Sequence, residues 1–599
     1  MAACDKKKRE ENMAETVLSF LRNKGFILAS GGIHGGLRGN FDYGWFGSIL
    51  KREVAQYWWR EMVVKRPNIA TLDAAILSHS KIWHASQHLT SFTDALVDCR
   101  LSNERFRPDK AGKLKVENGK KLVVQAPDAM VAKSWLQQLQ TKIAPGIAVK
   151  LQGARLVFDV VEYQDGSFIK LKTETDSTIE IPDHGYVSSC NSPFLTSPRR
   201  FNLMFRTHFG PVDVVEDLTE LLLKNKELPK EKLVDMVDGY LSQSYAYLRP
   251  ETAQSTYVQL SHYLKIHGLK LPFGIAQIGK SFRNEVTLEH GIFRTPEFEQ
   301  MELQFFCKPE EDKKWYDYWI QERLKWWHSL ANYPKNFVLK EHVKEDLAHY
   351  AKACTDIEYQ FPWGFGEIEG IANRTDYDLK QHTKHSGQSL EYSDDSSRDL
   401  VNSENSLTST STPKKYFPYV IEPAAGLNRA LLAFLFDAYH EEEKHDVNGK
   451  LVKRTVLKLH PKIAPFKAAI LPIVKKPQHI EIGKQLLQQL LNEDIYSKYD
   501  ENGSIGRRYT KHDEIGTPFC ITIDDQTLQD QTVTIRDRDT THQERKKIDD
   551  ILPFIKSVIC SSFFFFFLSF VFFFSIQNFH SSHFETFFLC VFSIFNFFF

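Results

Sequence analysis

Two stretches near the middle of the chain alternate apolar and polar residues with a period of two, the pattern of strands that bury one face. In Gln277–Val286, Gly279, Ser281, Arg283 and Glu285 fall on one side and Ile278, Phe282 and Val286 on the other. In Phe298–Phe306, Phe298, Gln300, Glu302 and Gln304 share a side and Met301, Leu303 and Phe305 oppose it. The pattern predicts two strands with an apolar back and a charged, wet front, joined by a long hairpin loop, "TLEHGIFRTPE". Pro296 sits in that loop, where a fixed φ and a missing N–H are tolerated.

Helical spacing occurs in residues 10–24 and in "SILKREVAQYWWREMV". There Leu50, Val54, Tyr57, Trp58 and Met62 form a stripe that reads as core or subunit interface. Between them, "GGIHGGLRGNFDYGWFG" (Gly31–Gly47) is glycine-rich but lacks the Gly-Lys-Ser/Thr ending of a P-loop. It reads as a structural turn region rather than a phosphate cradle. Residues 101–184 turn lysine-rich and strand-like and are expected to form an inserted subdomain. The polar, Ser/Thr-rich residues 386–415 predict a mobile loop. Val420–Glu443 predicts a strand, a turn and an apolar helix, and "KIAPFKAAILPIVKK" opens a separate α/β unit.

At 599 residues the chain is expected to hold several domains. Its 76 basic and 76 acidic residues cancel, which neither favours nor excludes a nucleic-acid partner. The eight cysteines are scattered without a CxxC pair, so the expectation is a reduced chain without a zinc knuckle. Asp5, Glu10, Glu11 and Glu15 argue against a transit peptide. The final 43 residues, from Ser557, hold 18 of the 45 phenylalanines and one acid. Membrane anchors are rich in Leu, Val, Ala and Ile with basic flanks. This composition therefore favours a translated intron or untranslated segment over a tail anchor, and no membrane role is expected unless the tail is native.

A front face bearing Arg, Glu and Phe over Gly and Ser suits a phosphorylated, aromatic ligand. Arg grips phosphate or carboxylate, Phe stacks a base and a carboxylate holds an ammonium. A solvated sheet face with cross-strand ion pairs is the competing reading. His79, His84 and His88 lie close together but lack HExxH spacing, so they read as structural histidines rather than metal ligands.

"FRNE" followed by a loop and "EFEQMEL" resembles motif 2 of class II aminoacyl-tRNA synthetases, in particular the dimeric glycyl-tRNA synthetases. "FNLMFRTHFGP", "YLRPETAQ", "LPFGIAQIGKSFRNE" and "GEIEGIANRTDYDLKQH" are similar to that family in order and spacing, and "VIEPAAGLNRALLA" resembles motif 3. Ser504–Arg545 resembles the family's anticodon-binding domain. The resemblance implies an α+β fold: an antiparallel sheet flanked by helices, an inserted subdomain and a C-terminal α/β domain. It implies ATP-dependent activation of glycine to glycyl-adenylate, transfer to the 3′ end of tRNA(Gly), Mg²⁺ beside ATP, a homodimer and a cytoplasmic location.

Carried onto this chain, the resemblance puts Arg283 on the ATP α-phosphate and glycine carboxylate. Glu285 falls near adenine, Phe298 stacks on it, and Arg429 meets the γ-phosphate. Glu251, Glu302 and Glu422 would surround the glycine ammonium, with Arg374 at the carboxylate or adenylate. Glu367 is a metal or pocket carboxylate. Arg507, Arg508, Arg536 and Arg538, with Lys511, form the tRNA-contact set, against the alternative of a solvated strand face.

The implied boundaries are 1–100 for the N-terminal part of the catalytic domain, 101–184 for the insertion, 185–455 for the catalytic core and 456–556 for the anticodon-binding domain. Residues 557–599 form the tail. The sequence departs from the family pattern at Trp45, Gln87, Ser255, Pro296 and Ala424, the last where the family has a serine bordering the substrate. The competing functions are a non-catalytic nucleic-acid-binding relative and a class II synthetase for another small amino acid. Arg283, Glu285 and Arg429 favour the enzyme, because a binding module has no need of a phosphate clamp.

Overall fold

The computed structural model describes residues 2–210, 213–394, 414–445 and 451–560. The chain divides into two compact units, one ending at Asp437 and the other beginning at Ala438. Most of the Ser/Thr-rich stretch and the tail beyond Cys560 lie outside the described residues. Among those described, no helix is long and apolar enough to cross a membrane.

The first unit is organised on a seven-stranded sheet. Its strands in chain order are β1 (Ile69–Thr71), β2 (Phe273–Phe282), β3 (Glu297–Cys307), β4 (Phe337–Glu341), β5 (Ala353–Phe361), β6 (Gly364–Thr375) and β7 (Tyr419–Gly426). They lie in the order β4-β5-β6-β7-β3-β2-β1. Every neighbouring pair is antiparallel except β1 with β2. Three helices matter for the site: α1 (Ala253–His267), α2 (Asp312–His328) and α3 (Leu427–Ala438). β7 runs directly into α3, without the predicted turn.

The alternation in β3 is obeyed. Met301, Leu303 and Phe305 are buried on the back, where the Phe305 ring meets Trp315 and Trp319 of α2 at 4.8 and 5.3 Å. The front departs from expectation in two ways. Its inner half is dry, because α1 and the residues before it cover it. Tyr257 donates to Gln304, and Gln277 Nε2 donates to the Thr252 carbonyl at 2.8 Å. Polar side chains are stable there because they find protein partners. In addition, β2 ends at Phe282, opposite Glu297, so Arg283 and Glu285 stand on the loop beyond the strand. The Arg283 N–H donates to the Pro296 carbonyl at 2.9 Å, closing the loop's base. Pro296 thus contributes an acceptor where its missing donor is not needed.

The glycine-rich segment is structural. A Cβ at Gly47 would collide with the Phe26 carbonyl oxygen, and one at Gly44 with that of Gly25. These glycines let the helix Trp45–Trp59 start against the preceding chain. The inserted subdomain has its own sheet, with Arg155–Gln164 at its centre and the helix Ala129–Gln138 packed on it. Its core, including Leu122, Trp135, Leu156 and Phe158, extends to Cys190 and Phe194, past residue 184. The ends of the Ser/Thr-rich stretch are tied together, Tyr392–Asp394 pairing with Lys414–Tyr416.

The second unit carries a five-stranded sheet in the order Ser497–Tyr499, Ala468–Pro472, Phe519–Ile523, Thr532–Asp537 and Gln543–Lys547. The first three strands are parallel, as α/β patterning predicts. The hairpin formed by Tyr439–His445 and Leu451–Leu457 groups with this unit rather than with the catalytic core. The last helix, Ile548–Cys560, runs past the expected boundary at 556, and Val558 and Ile559 pack on the core of this unit.

Candidate active site

A cavity of about 340 Å³ opens on the front of the first unit's sheet. Arg283, Glu285, Phe298, Arg429, Glu251, Glu302, Glu422, Arg374, Ala424 and Glu367 all line it, so residues spread over the sequence converge as expected. The sheet explains why. Glu302, on β3, faces Ala424 on β7, which in turn faces Gly370 on β6. Three adjacent strands therefore deliver one floor.

The inner end is a buried charge cluster. Arg374, 1 % exposed, donates from Nε and Nη2 to Asp378 at 2.9 and 3.2 Å and from Nη1 to Glu422 at 2.9 Å. It lies 3.7 Å from Glu251 and over the Tyr350 ring at 3.9 Å. Glu251 is also met by His88 Nε2 at 3.3 Å. Burial opposes ionisation of Glu251, but His88 and Arg374 outweigh it and hold its carboxyl below the usual range. Glu302 accepts from Thr252 and, at 2.6 Å, from Gln300 Nε2. Burial, then the charges of Glu422 and Glu251, push its carboxyl up to about 8. The pocket thus carries an excess of carboxylate oxygens, and their mutual repulsion favours protonation of Glu302.

The outer end presents guanidinium groups and rings. Arg283 lies between Phe92 and Phe298, 5.3 and 5.4 Å from the ring centres, with Nε donating to the Pro250 carbonyl at 3.1 Å. Its remaining N–H groups are available to an anion in the cavity it lines. Arg429 sits over Phe293 and donates to the Phe293 carbonyl at 3.1 Å and to the Glu367 carboxylate at 3.2 Å. Glu285 pairs with Arg294 at 3.4 Å.

Sequence reasoning missed Asp378, which orients Arg374. The only signal was its position four residues on, across a strand-to-helix junction. It also missed His342, Cys354 and Asp356, which line the same cavity. Of the three clustered histidines, His79 caps a helix by accepting from the Lys81 N–H at 3.1 Å, and His88 bonds Ser86 at 2.8 Å as well as meeting Glu251. Gln87, where the family has glycine, adopts a left-handed φ of 63°.

The tRNA-contact set requires correction. Arg508 is buried and donates to the Pro472 and Asp500 carbonyls at 2.8 and 3.0 Å. Arg536 is buried in a two-bond pair with Asp513 at 2.8 and 2.9 Å. Arg538 is buried and donates to the Leu459 and Gly516 carbonyls at 2.9 and 2.8 Å. These guanidinium groups hold the second unit together and cannot reach RNA. Lys511 is paired with Asp500 at 2.7 Å, which leaves Arg507 as the exposed arginine of the set.

A mainly antiparallel sheet with carboxylates at one end of its cleft and two arginines at the other is the arrangement expected of a class II aminoacyl-tRNA synthetase. Family comparison agrees: residues 241–439 match the tRNA synthetase class II core domain (G, H, P, S and T), and residues 467–558 match the anticodon binding domain. The chain is 41% identical over 553 residues to the glycine–tRNA ligase of Geobacillus thermodenitrificans, covering 92% of this chain and 99% of the relative. It is 38% identical to that of Bifidobacterium longum, covering 92% and 93%, and 40% identical to that of Alkaliphilus oremlandii, covering 91% and 98%. The chain belongs to the glycine–tRNA ligase family.

Proposed function

We propose that this cavity activates glycine with ATP and passes the glycyl group to tRNA(Gly), with the roles divided by the two ends of the cleft. The observation that carries the reading is the group of Glu251, Glu302 and Glu422 at the inner end of the cavity, with Glu251 and Glu422 beside the Arg374 guanidinium. It suits a small ligand gripped by its ammonium group, and glycine offers nothing else to grip but its carboxylate. Ala424 lies on the cavity floor opposite Glu302, and selectivity against a single methylene requires close walls near the ligand's α-carbon.

In the first step a glycine carboxylate oxygen attacks the α-phosphorus of ATP. The new O–P bond forms as the bond to the β-phosphate oxygen breaks, and pyrophosphate leaves with the electron pair. Arg283 neutralises the charge that builds on the α-phosphate, and Arg429 binds the departing end. Phe298 offers a face to adenine, and Glu285 borders it. No protein nucleophile is required, so positioning and charge stabilisation supply the rate. Mg²⁺ accompanies ATP and supplies charge neutralisation at the phosphates. Glu367, an oxygen ligand in the cavity wall, suits a hard cation.

Glycine-dependent exchange of pyrophosphate into ATP tests the assignment. We expect exchange with glycine but not with alanine or serine, and its loss in Arg283→Ala with the fold intact. Exchange supported by alanine or serine alone, or an unimpaired Arg283→Ala, would overturn it. The same reading takes the working unit as a cytoplasmic homodimer. Sedimentation of the active protein as a monomer would remove the dimer from it.

A further inference from the structure

We propose that His342, Cys354 and Asp356 form a binding site for a thiophilic divalent metal ion of the Zn²⁺ class, set in the sheet at the wall of the same cavity. The inference stands on these three side chains and does not rest on the glycine-activation reading.

The sheet itself assembles the site. β4 and β5 pair with Glu341 opposite Thr355, and on the next rung the His342 N–H donates to the Cys354 carbonyl at 3.0 Å. Cys354 and Asp356 are two residues apart on one strand, so their side chains share a face. His342 arrives from the neighbouring strand's end on that same side. One ligand atom from each lies within 4.8 Å of the others. His342 Nε2 is 2.7 Å from Asp356 Oδ2, and Cys354 Sγ is 3.8 Å from Asp356 Oδ1. In a tetrahedral zinc site, adjacent ligand atoms are about 3.3–3.7 Å apart, given zinc–ligand bonds of roughly 2.0–2.3 Å. Side-chain shifts of roughly 0.5–1 Å convert one arrangement into the other.

The donor set selects the metal. Imidazole nitrogen, thiolate sulfur and carboxylate oxygen together suit Zn²⁺ and its first-row neighbours, whereas Mg²⁺ takes oxygen ligands. Without metal, the thiol proton and the one between His342 and Asp356 bridge the three groups. Binding displaces both contacts and releases the thiol proton to solvent. A fourth position remains open toward the cavity that all three residues line. Gly370 on β6 faces Asp356 without a side chain; a Cβ there would lie 3.5 Å from Asp356 Oδ1 and 3.9 Å from Glu367 Oε1, so the Glu367 carboxylate borders the same opening. Three protein ligands and an open position make a site that exchanges a water or ligand atom.

The full chain, stripped of metal, should be titrated with Co²⁺ and watched in the near ultraviolet. We expect a thiolate-to-Co²⁺ charge-transfer band that saturates at one ion per chain. Zn²⁺ should bleach it, and excess Mg²⁺ should leave it intact. Cys354→Ser should abolish the band, and His342→Gln should weaken Co²⁺ binding about tenfold or more. Circular dichroism of each variant separates loss of the site from loss of the fold. Absence of the band in the wild-type chain, or a band unchanged in Cys354→Ser, overturns the proposal. Should Cys354→Ser fail to fold, a full-strength band in both His342→Gln and Asp356→Asn does the same.

Discussion

Glu302 is the inner-pocket carboxyl whose proton an incoming ammonium group would displace. Its carboxyl is raised from 4.5 to about 8 by burial and by Glu422 and Glu251. Between those values the empty fold holds a proton that the unfolded chain has released. Glu302 therefore stabilises the empty protein less as pH rises from 4.5 to about 8. An incoming ammonium favours the ionised form, so glycine binding should expel that proton. Glycine affinity should rise by up to about tenfold per pH unit below about 8 and then level off. Calorimetric titrations in buffers of different ionisation enthalpy should find close to one proton released per glycine near neutral pH. Glu302→Gln should flatten the slope. A pH-independent affinity in the wild-type protein would remove the ammonium from Glu302. The period-two pattern marked Glu302 as a front-face residue, and that much was legible. Its proton was not, because Glu251 and Glu422 reach it from other elements, and alternation says which side a residue takes but not what covers it. Asp378 was hidden for the same reason: it meets Arg374 only because the chain turns from β6 into a helix.

At the scale of elements, β6 shows where pattern reading fails and why. Glu367 and Glu369 are two apart and should share a face, yet Glu367 lines the cavity while Glu369 is buried against α2. The register between β5 and β6 shifts between Ile357 and Glu358, and this bulge moves the alternation by one residue. Glu369 then accepts from Arg323 at 2.6 and 3.1 Å and from Trp327 Nε1 at 2.6 Å, with Arg323 and Glu369 each 1 % exposed at the side chain. The pair fixes α2 to the back of the sheet whose front carries the substrate floor. Removing one partner of such a pair leaves an uncompensated buried charge, which costs about 3–5 kcal/mol. Glu369→Ala should lose about that much in urea unfolding of the first unit's transition. A cost below about 1 kcal/mol, the range of exposed pairs, would show that Arg323 finds other partners.

The two units match different domain families, the class II synthetase core and the anticodon binding domain, and their charges are arranged differently. In the first unit, buried Arg374 lines the cavity, Arg323 holds α2 to the sheet, and Arg249 donates to the Lys280 and Ala74 carbonyls. The second spends Arg508, Arg536 and Arg538 on its own architecture. A run such as "TIRDRDTTHQER" reads as a charged, solvated strand in sequence, because alternating signs look alike whether partners are solvent or protein. In the fold, Asp513 lies on a helix against that strand, pairs with Arg536 and also accepts from Arg454 Nε at 2.9 Å. Mutation should tell these roles apart. Arg536→Ala should destabilise the second unit by about 3 kcal/mol, because a buried carboxylate loses its main partner. Arg507→Ala removes an exposed cation without structural bonds, so stability should be unchanged. Charging of tRNA(Gly) should then fall by about threefold to tenfold in kcat/KM, the effect of one lost phosphate contact, with a shallower salt dependence. Glycine-dependent pyrophosphate exchange should be untouched, since that step needs no tRNA. Unchanged charging in Arg507→Ala would move the RNA contact to other exposed groups of this unit, whereas equal loss of charging and exchange would mean that Arg507 acts on the fold.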